Sequence, residues 1–198
     1  MSTGTGDAAL PRAVARLEIS WAGTGLLRDE QELNRLSELV SGALSDRHGP
    51  RTLCIGIRFV DAEEMAELNR EHMGHEGPTD VLSFPIDGDP IEIAFPDDDE
   101  WEPVPGGGNS WQSVHQTSAD LPPWMLGDIV ICPEVAAANA PTHAGSYEDE
   151  MALLVVHGLL HLFGMDHATS DERAAMQAEE RELLDVYHGP LARDPWTE

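Results

Sequence analysis

The amino-acid sequence predicts a single α/β (α+β) domain, a mixed four-stranded sheet packed with about five helices. Three observations lead there. Four short runs have strand character, each bounded by turn residues or proline. Apolar positions at helical spacing separate them, and the last three helical stretches follow one another late in the chain. At 198 residues and 41% hydrophobic, the chain can bury one sizeable core.

Taken in order, residues 1–12 carry no pattern and read as disordered. Residues 13–21 alternate well enough for a strand, with Leu17, Ile19 and Trp21 on one side. From 28 to about 47, Leu33, Leu36, Val40 and Leu44 recur at helical spacing, and Gly49-Pro50 is a stop signal. Residues 51–60 form a second strand with Leu53, Ile55, Ile57 and Phe59 on one face. Asp61 is placed to N-cap a helix over 62–72, with Glu64 as its capping-box partner. Residues 78–85, with proline at both ends, are a third strand.

Residues 87–123 break the rhythm. An acidic run at 97–100, three glycines at 106–108 and several prolines predict a flexible insertion that Trp101, Trp111 and Trp124 could dock. Order resumes with a strand at 126–132, and Pro133 opens a short alanine-rich helix. Ser146 caps the next helix, with Asp149 near the capping-box place, and Thr169 with Glu172 opens the last. Residues 189–198 read as a flexible tail.

Charge excludes some functions. There are 37 acidic residues against 11 basic ones, all arginine, for a formal charge of −26. No Arg or Lys occurs between Glu71 and Glu172. Such a chain does not advertise a nucleic-acid-binding patch, and DNA is not an expected partner. Phosphate contacts must come from the arginine-bearing ends, helix N-termini or a metal. No apolar run approaches membrane-spanning length, and the first residues lack a signal-peptide pattern, so a cytoplasmic protein is expected. Cys54 and Cys132 lie in strand-like runs and read as small buried hydrophobes.

The chemistry concentrates in residues 157–167, His-Gly-Leu-Leu-His-Leu-Phe-Gly-Met-Asp-His. Histidines four apart share a helix face, and Gly164 lets the chain turn and return a third. His157, His161 and His167 are thus candidate ligands for one Zn²⁺, with the fourth position open as in catalytic zinc sites. Imidazole also suits Ni, Cu and Fe. The offsets match the metzincin pattern H-E-x-x-H-x-x-G-x-x-H, but that chemistry needs a glutamate base where this chain has Gly158. Asp128 and Asp166 are candidates for orienting a histidine or a water, or for ordinary turn and capping roles. Thr79, Asp80 and Ser83 are candidates for lining a substrate cleft. His72, His75 and His143 read as surface residues or further contacts.

Read as H-G-x-L-H-L-x-G-x-D-H, the same stretch resembles the signature of the YbeY endoribonucleases, bacterial rRNA maturation factors. Leu68-Asn69 with residues 77–85, and Leu126-Gly127-Asp128-Ile129, are similar to two further blocks of that family. The resemblance implies one zinc held by His157, His161 and His167. It also implies a metal-dependent nuclease that processes 16S rRNA 3′ ends, takes part in ribosome quality control and has the small ribosomal subunit as partner, directly or through another protein. One departure stands out: an aromatic–arginine pair common in the family falls here on His72 and Met73. Arg70 is the nearest cation and a candidate substitute. Two other readings remain open: a zinc hydrolase of another ester or amide, and a non-catalytic ribosome-assembly factor with a structural zinc.

Overall fold

The structure is a computed structural model that describes residues 17–45, 52–86 and 123–197. Strands β1 (Leu17–Ala22), β2 (Leu53–Phe59), β3 (Val81–Pro85) and β4 (Trp124–Ile131) form one sheet in the order β1-β2-β4-β3. β1, β2 and β4 run parallel, and β3 closes the edge antiparallel to β4. The helices are α1 (Glu30–Ser45), α2 (Ala62–Leu68), α3 (Pro133–Asn139), α4 (Tyr147–Leu162) and α5 (Ser170–Tyr187). The predicted mixed four-stranded sheet with five helices is the architecture found. Residues 1–12 and nearly all of the 87–123 insertion, Trp101 and Trp111 included, lie outside the described residues.

Strand alternation divides the structure in two. Ile55, Ile57, Ile129 and Ile131 turn one way into the main core, where Val40 and Leu44 of α1 and Met176 and Leu184 of α5 meet α4. The other sheet face carries a smaller cluster: Val60, Met65, Leu82, Val130 and Cys132, under α2. Both cysteines are buried and free, and burial pushes each thiol above its ordinary range. The α4 helix is apolar nearly all round, from Met151 to Leu162, because neighbours surround it. A helix so enclosed is a rigid mount for the two histidines at its C-terminal end.

The helix starts follow local chemistry. Asp61 Oδ1 accepts from the Glu63 and Glu64 N–H groups at 3.1 and 2.9 Å. Glu64 does not complete the box; its carboxylate pairs with Arg58. The helix expected to run to 72 is α-helical to Leu68 and continues as a π-helical turn over Asn69–Met73. Asn69 fixes that turn by donating from its side chain to Gly77 O at 2.8 Å. Ser146 caps α4, and Thr169 with Glu172 forms the capping box of α5.

The C-terminal segment is ordered, contrary to the expected flexible tail. Leu191 and Trp196 pack on the core. Arg193 N donates to Ala144 O at 3.0 Å, and the Trp196 indole N–H donates to Glu180 Oε2 at 2.6 Å. Asp149, rather than serving as a capping-box residue, holds His188 Nε2 at 2.8 Å and the Ala192 N–H at 3.0 Å. These partners lie far away in sequence, so local pattern reading had no means of finding them.

Candidate metal centre

The α4 helix stops where its chemistry begins. Gly164 N–H donates to His161 O at 2.9 Å and Met165 N–H to Leu160 O at 3.0 Å, the paired bonds of a Schellman ending. That ending needs a left-handed residue, and Gly164 has φ +80°. The chain reverses over Met165 and Asp166 and brings His167 back beside the helical pair.

The three imidazoles converge. One ring nitrogen from each of His157, His161 and His167 lies within 4.8 Å of the others. His157 Nε2 and His161 Nε2 are 3.1 Å apart. Their other nitrogens have outer partners that fix the tautomers. His157 Nδ1 donates to Glu180 Oε1 at 2.7 Å, and His161 Nδ1 donates to Met165 O at 2.9 Å. A carboxylate and a carbonyl only accept, so both Nδ1 atoms carry a proton, and in the neutral rings both Nε2 atoms present lone pairs. Glu180 is 4% exposed, and its second oxygen is taken by the Trp196 indole N–H.

This donor set fits a metal cation. Facing lone pairs repel unless they share a positive centre, and a tetrahedral zinc separates its nitrogen ligands by about 3.4 Å. Burial, followed by the neighbouring His157, holds His161 below the ordinary imidazole range, while the Met165 carbonyl pulls the other way. The neutral ring that results is the ligand form.

The histidines open onto a cleft of about 610 Å³ whose walls include Thr79, Asp80, Ser83, Met73 and Asp166. Of the cleft-lining candidates, Ser83 Oγ donates to Gly158 O at 3.4 Å, across the seam between β3 and α4. Asp80 accepts from the Val81 N–H, Thr79 Oγ1 and Asn139 Nδ2, so it chiefly anchors the start of β3 to α3. Asp166 is exposed, and its Oδ1 accepts from the His167 N–H at 2.7 Å, shaping the turn that delivers that histidine.

Two candidates are placed elsewhere. Asp128 alternates with core-facing Ile129 on β4, so it points to the opposite side of the sheet. There its carboxylate lies across Gly56, where a Cβ would sit 1.9 Å from Oδ1. Arg70 is exposed on the π-helical turn and is not among the residues lining the cleft, whereas Met73 is.

Gly158 has a steric explanation. A Cβ there would meet Ile129 Cγ2 at 2.8 Å and Cδ1 at 3.0 Å, so this position presses on β4. A glutamate at 158 would enter the core instead of the cleft, which closes the metzincin arrangement to this fold.

Sequence reasoning missed Glu180 and Trp196. Glu180 left a signal: it interrupts the apolar stripe of Met176, Leu183 and Leu184 on α5. A carboxylate on a buried stripe calls for a partner. Trp196 left none.

Fold and centre together describe a class: a small α/β protein whose late helix and following turn bring three histidines to a cleft, the layout of a metal-dependent hydrolase. Comparison with known proteins narrows this. The family model described as Endoribonuclease YbeY matches residues 26–188. The chain is similar to the endoribonuclease YbeY of Salinispora tropica, 38% identical over 165 residues and 83% of each chain. It is also similar to that of Thermobifida fusca, 39% identical over 161 residues, which are 81% of this chain and 87% of the other. Among solved structures, TM1509 from Thermotoga maritima shares the fold, with TM-score 0.51 and 21% identity, covering 91% of this chain and 99% of that one. The chain belongs to the YbeY endoribonuclease family, as the histidine stretch implied.

Proposed function

We propose that this protein is a zinc-dependent endoribonuclease that cleaves single-stranded RNA, maturing the 3′ end of 16S rRNA and serving ribosome quality control in the cytoplasm. One zinc per chain is held by His157, His161 and His167. The observation that carries the reading is the convergence of one ring nitrogen from each of His157, His161 and His167 within 4.8 Å at the cleft, with the other nitrogens of the helical pair held by outer acceptors. It joins membership of an endoribonuclease family.

Zinc supplies Lewis acidity at this position, which permits hydrolysis at neutral pH without a dedicated glutamate base. The chain's own residues do the rest. Glu180 and the Met165 carbonyl keep both helical rings in the donor-outward tautomer. Asp166 holds the backbone of the third ligand. Thr79 and Ser83 give the cleft wall hydroxyls that can hydrogen-bond a ribose or phosphate oxygen. Among the described residues no helix is long and apolar enough to cross a membrane.

An amide hydrolase is disfavoured because residue 158 faces β4. A purely structural zinc is disfavoured because, among the described residues, three ligands converge, and they do so at an open cleft. Purified protein should cleave single-stranded RNA and leave casein intact; a chelator should abolish cleavage, and one equivalent of zinc should restore it. Chelator-sensitive proteolysis without RNA cleavage would overturn the proposal. So would intact 16S 3′ processing in cells carrying a folded His161→Ala protein.

A further inference from the structure

A second cavity, of about 310 Å³, is lined in part by His157 and His167 of the histidine centre. It shares Asp80, Val81, His157 and His167 with the cleft, so the two adjoin at the centre. We propose that this cavity is a nucleotide subsite: it seats the base of one nucleotide of the RNA strand next to the cleaved bond, and Arg173 holds that nucleotide's phosphate. The inference rests on the nuclease reading above.

The lining has the chemistry of a base seat. Leu153, Leu154 and Met176 supply an apolar floor, and Pro195 and Trp196 form a wall. The indole does not swing freely, because Nε1–H is tied to Glu180 and the Arg181 guanidinium lies 4.3 Å over the ring. Gln177 adds an amide one turn after Arg173 on α5, able to donate to and accept from a base edge. The volume falls in the range of small-ligand sites, which are mostly apolar with a few polar groups.

Charge then selects the occupant. Among the described residues, Arg173 is the single arginine lining either cavity. Arg28, Arg58 and Arg181 pair with Glu148, Glu64 and Asp194, whereas the Arg173 guanidinium has no ion pair among the described residues. The nearby carboxylates are engaged: Glu180 by His157 and Trp196, and Asp80 by Asn139 and the Val81 N–H. In a chain of charge −26, an unpaired guanidinium at the rim is the feature most able to draw a phosphate. Arg173 thereby supplies the cation that position 73, a methionine, lacks. His143 also lines this cavity, with Nδ1 held by the buried Glu150 at 2.9 Å, which leaves Nε2 for a base or ribose contact.

Two measurements test the subsite separately from the nuclease reading. In cleavage of a fluorogenic single-stranded oligoribonucleotide, Arg173→Met should raise KM about tenfold, with a smaller effect on kcat. Arg173→Lys should recover part of the loss. In zinc-loaded protein, titration with AMP or UMP should shift the Trp196 indole N–H resonance, assigned with Trp196→Phe, and Arg173→Met should abolish that shift at equal concentration. An uncleavable 2′-O-methyl oligonucleotide should also bind the Met variant about tenfold more weakly. If the wild type cuts no RNA but these binding effects hold, the nuclease reading fails and the subsite stands. If RNA is cut while Arg173→Met leaves KM and binding unchanged, or neither nucleotide moves the Trp196 signal, the subsite is overturned.

Discussion

A carboxylate only 4% exposed on the apolar stripe of α5 carries a desolvation cost that only good partners offset, and Glu180 has two in His157 and Trp196. Its contact with His157, a proposed zinc ligand, would set ring orientation and basicity, so Glu180→Gln should weaken zinc binding about 10–100-fold in competition with a chromophoric chelator. Unchanged affinity would mean that the ring is held by packing alone. Gly158 tests the other wall. Alanine is the better helix former by about 1 kcal/mol, but its Cβ would overpack fully buried Ile129 at a cost of about 1–3 kcal/mol. Overpacking should win, with Gly158→Ala lowering the urea midpoint; a raised midpoint would show that Ile129 yields freely. Gly158→Glu should lose stability further and gain no activity on casein.

At the scale of elements, α4 acts as the mount and the C-terminal segment as its clasp. Asp149, in the first turn of α4, joins them through His188 and the Ala192 N–H. Burial pushes its carboxyl up, but the hydrogen bonds from His188, Ala192 and Ser146 outweigh this and leave it below the ordinary value of 3.8. A folded pKa below the unfolded one gives stability that is complete above the unfolded value and is lost as pH falls through the folded one. The Asp149→Asn protein should therefore be less stable by about 1–3 kcal/mol at neutral pH. It should also show a shallower loss of stability than the wild type in acid below pH 3.8. Equal acid slopes in denaturant titrations would remove Asp149 as the source.

The whole molecule sets the terms of encounter with RNA. At a formal charge of −26, long-range attraction to a polyanion is absent, and binding must rest on the proposed metal centre and short-range contacts. Affinity for single strands falls with salt by about 0.7 log units per decade for each phosphate neutralised. With Arg173 the single arginine among the described residues lining the two cavities, the slope of log K against log salt should stay within about 1–2 in magnitude. A steeper slope for the isolated protein would reveal a basic surface that the folded chain does not present at this site. A shallow slope fits an enzyme that is brought to ribosomal RNA by a partner supplying the positive charge.

Much of this was legible in the residues. Alternation and helical spacing determined four strands and five helices, because periods of 2 and 3.6 are local properties of the backbone. The offsets of His157, His161 and His167 determined the candidate ligands, since one helix face and one glycine-ended turn suffice to bring them together. Only the tertiary structure decided what surrounds them. Asp128 had the right residue type and family block, yet strand alternation in the assembled sheet turns it to the far face. Glu180, Trp196 and Arg173 lie on the last helix and the segment after it, and only packing against α4 brings them to the histidines or to the cavity beside them. Contacts between distant segments form when apolar faces are buried together, and that burial leaves no fixed spacing in the chain.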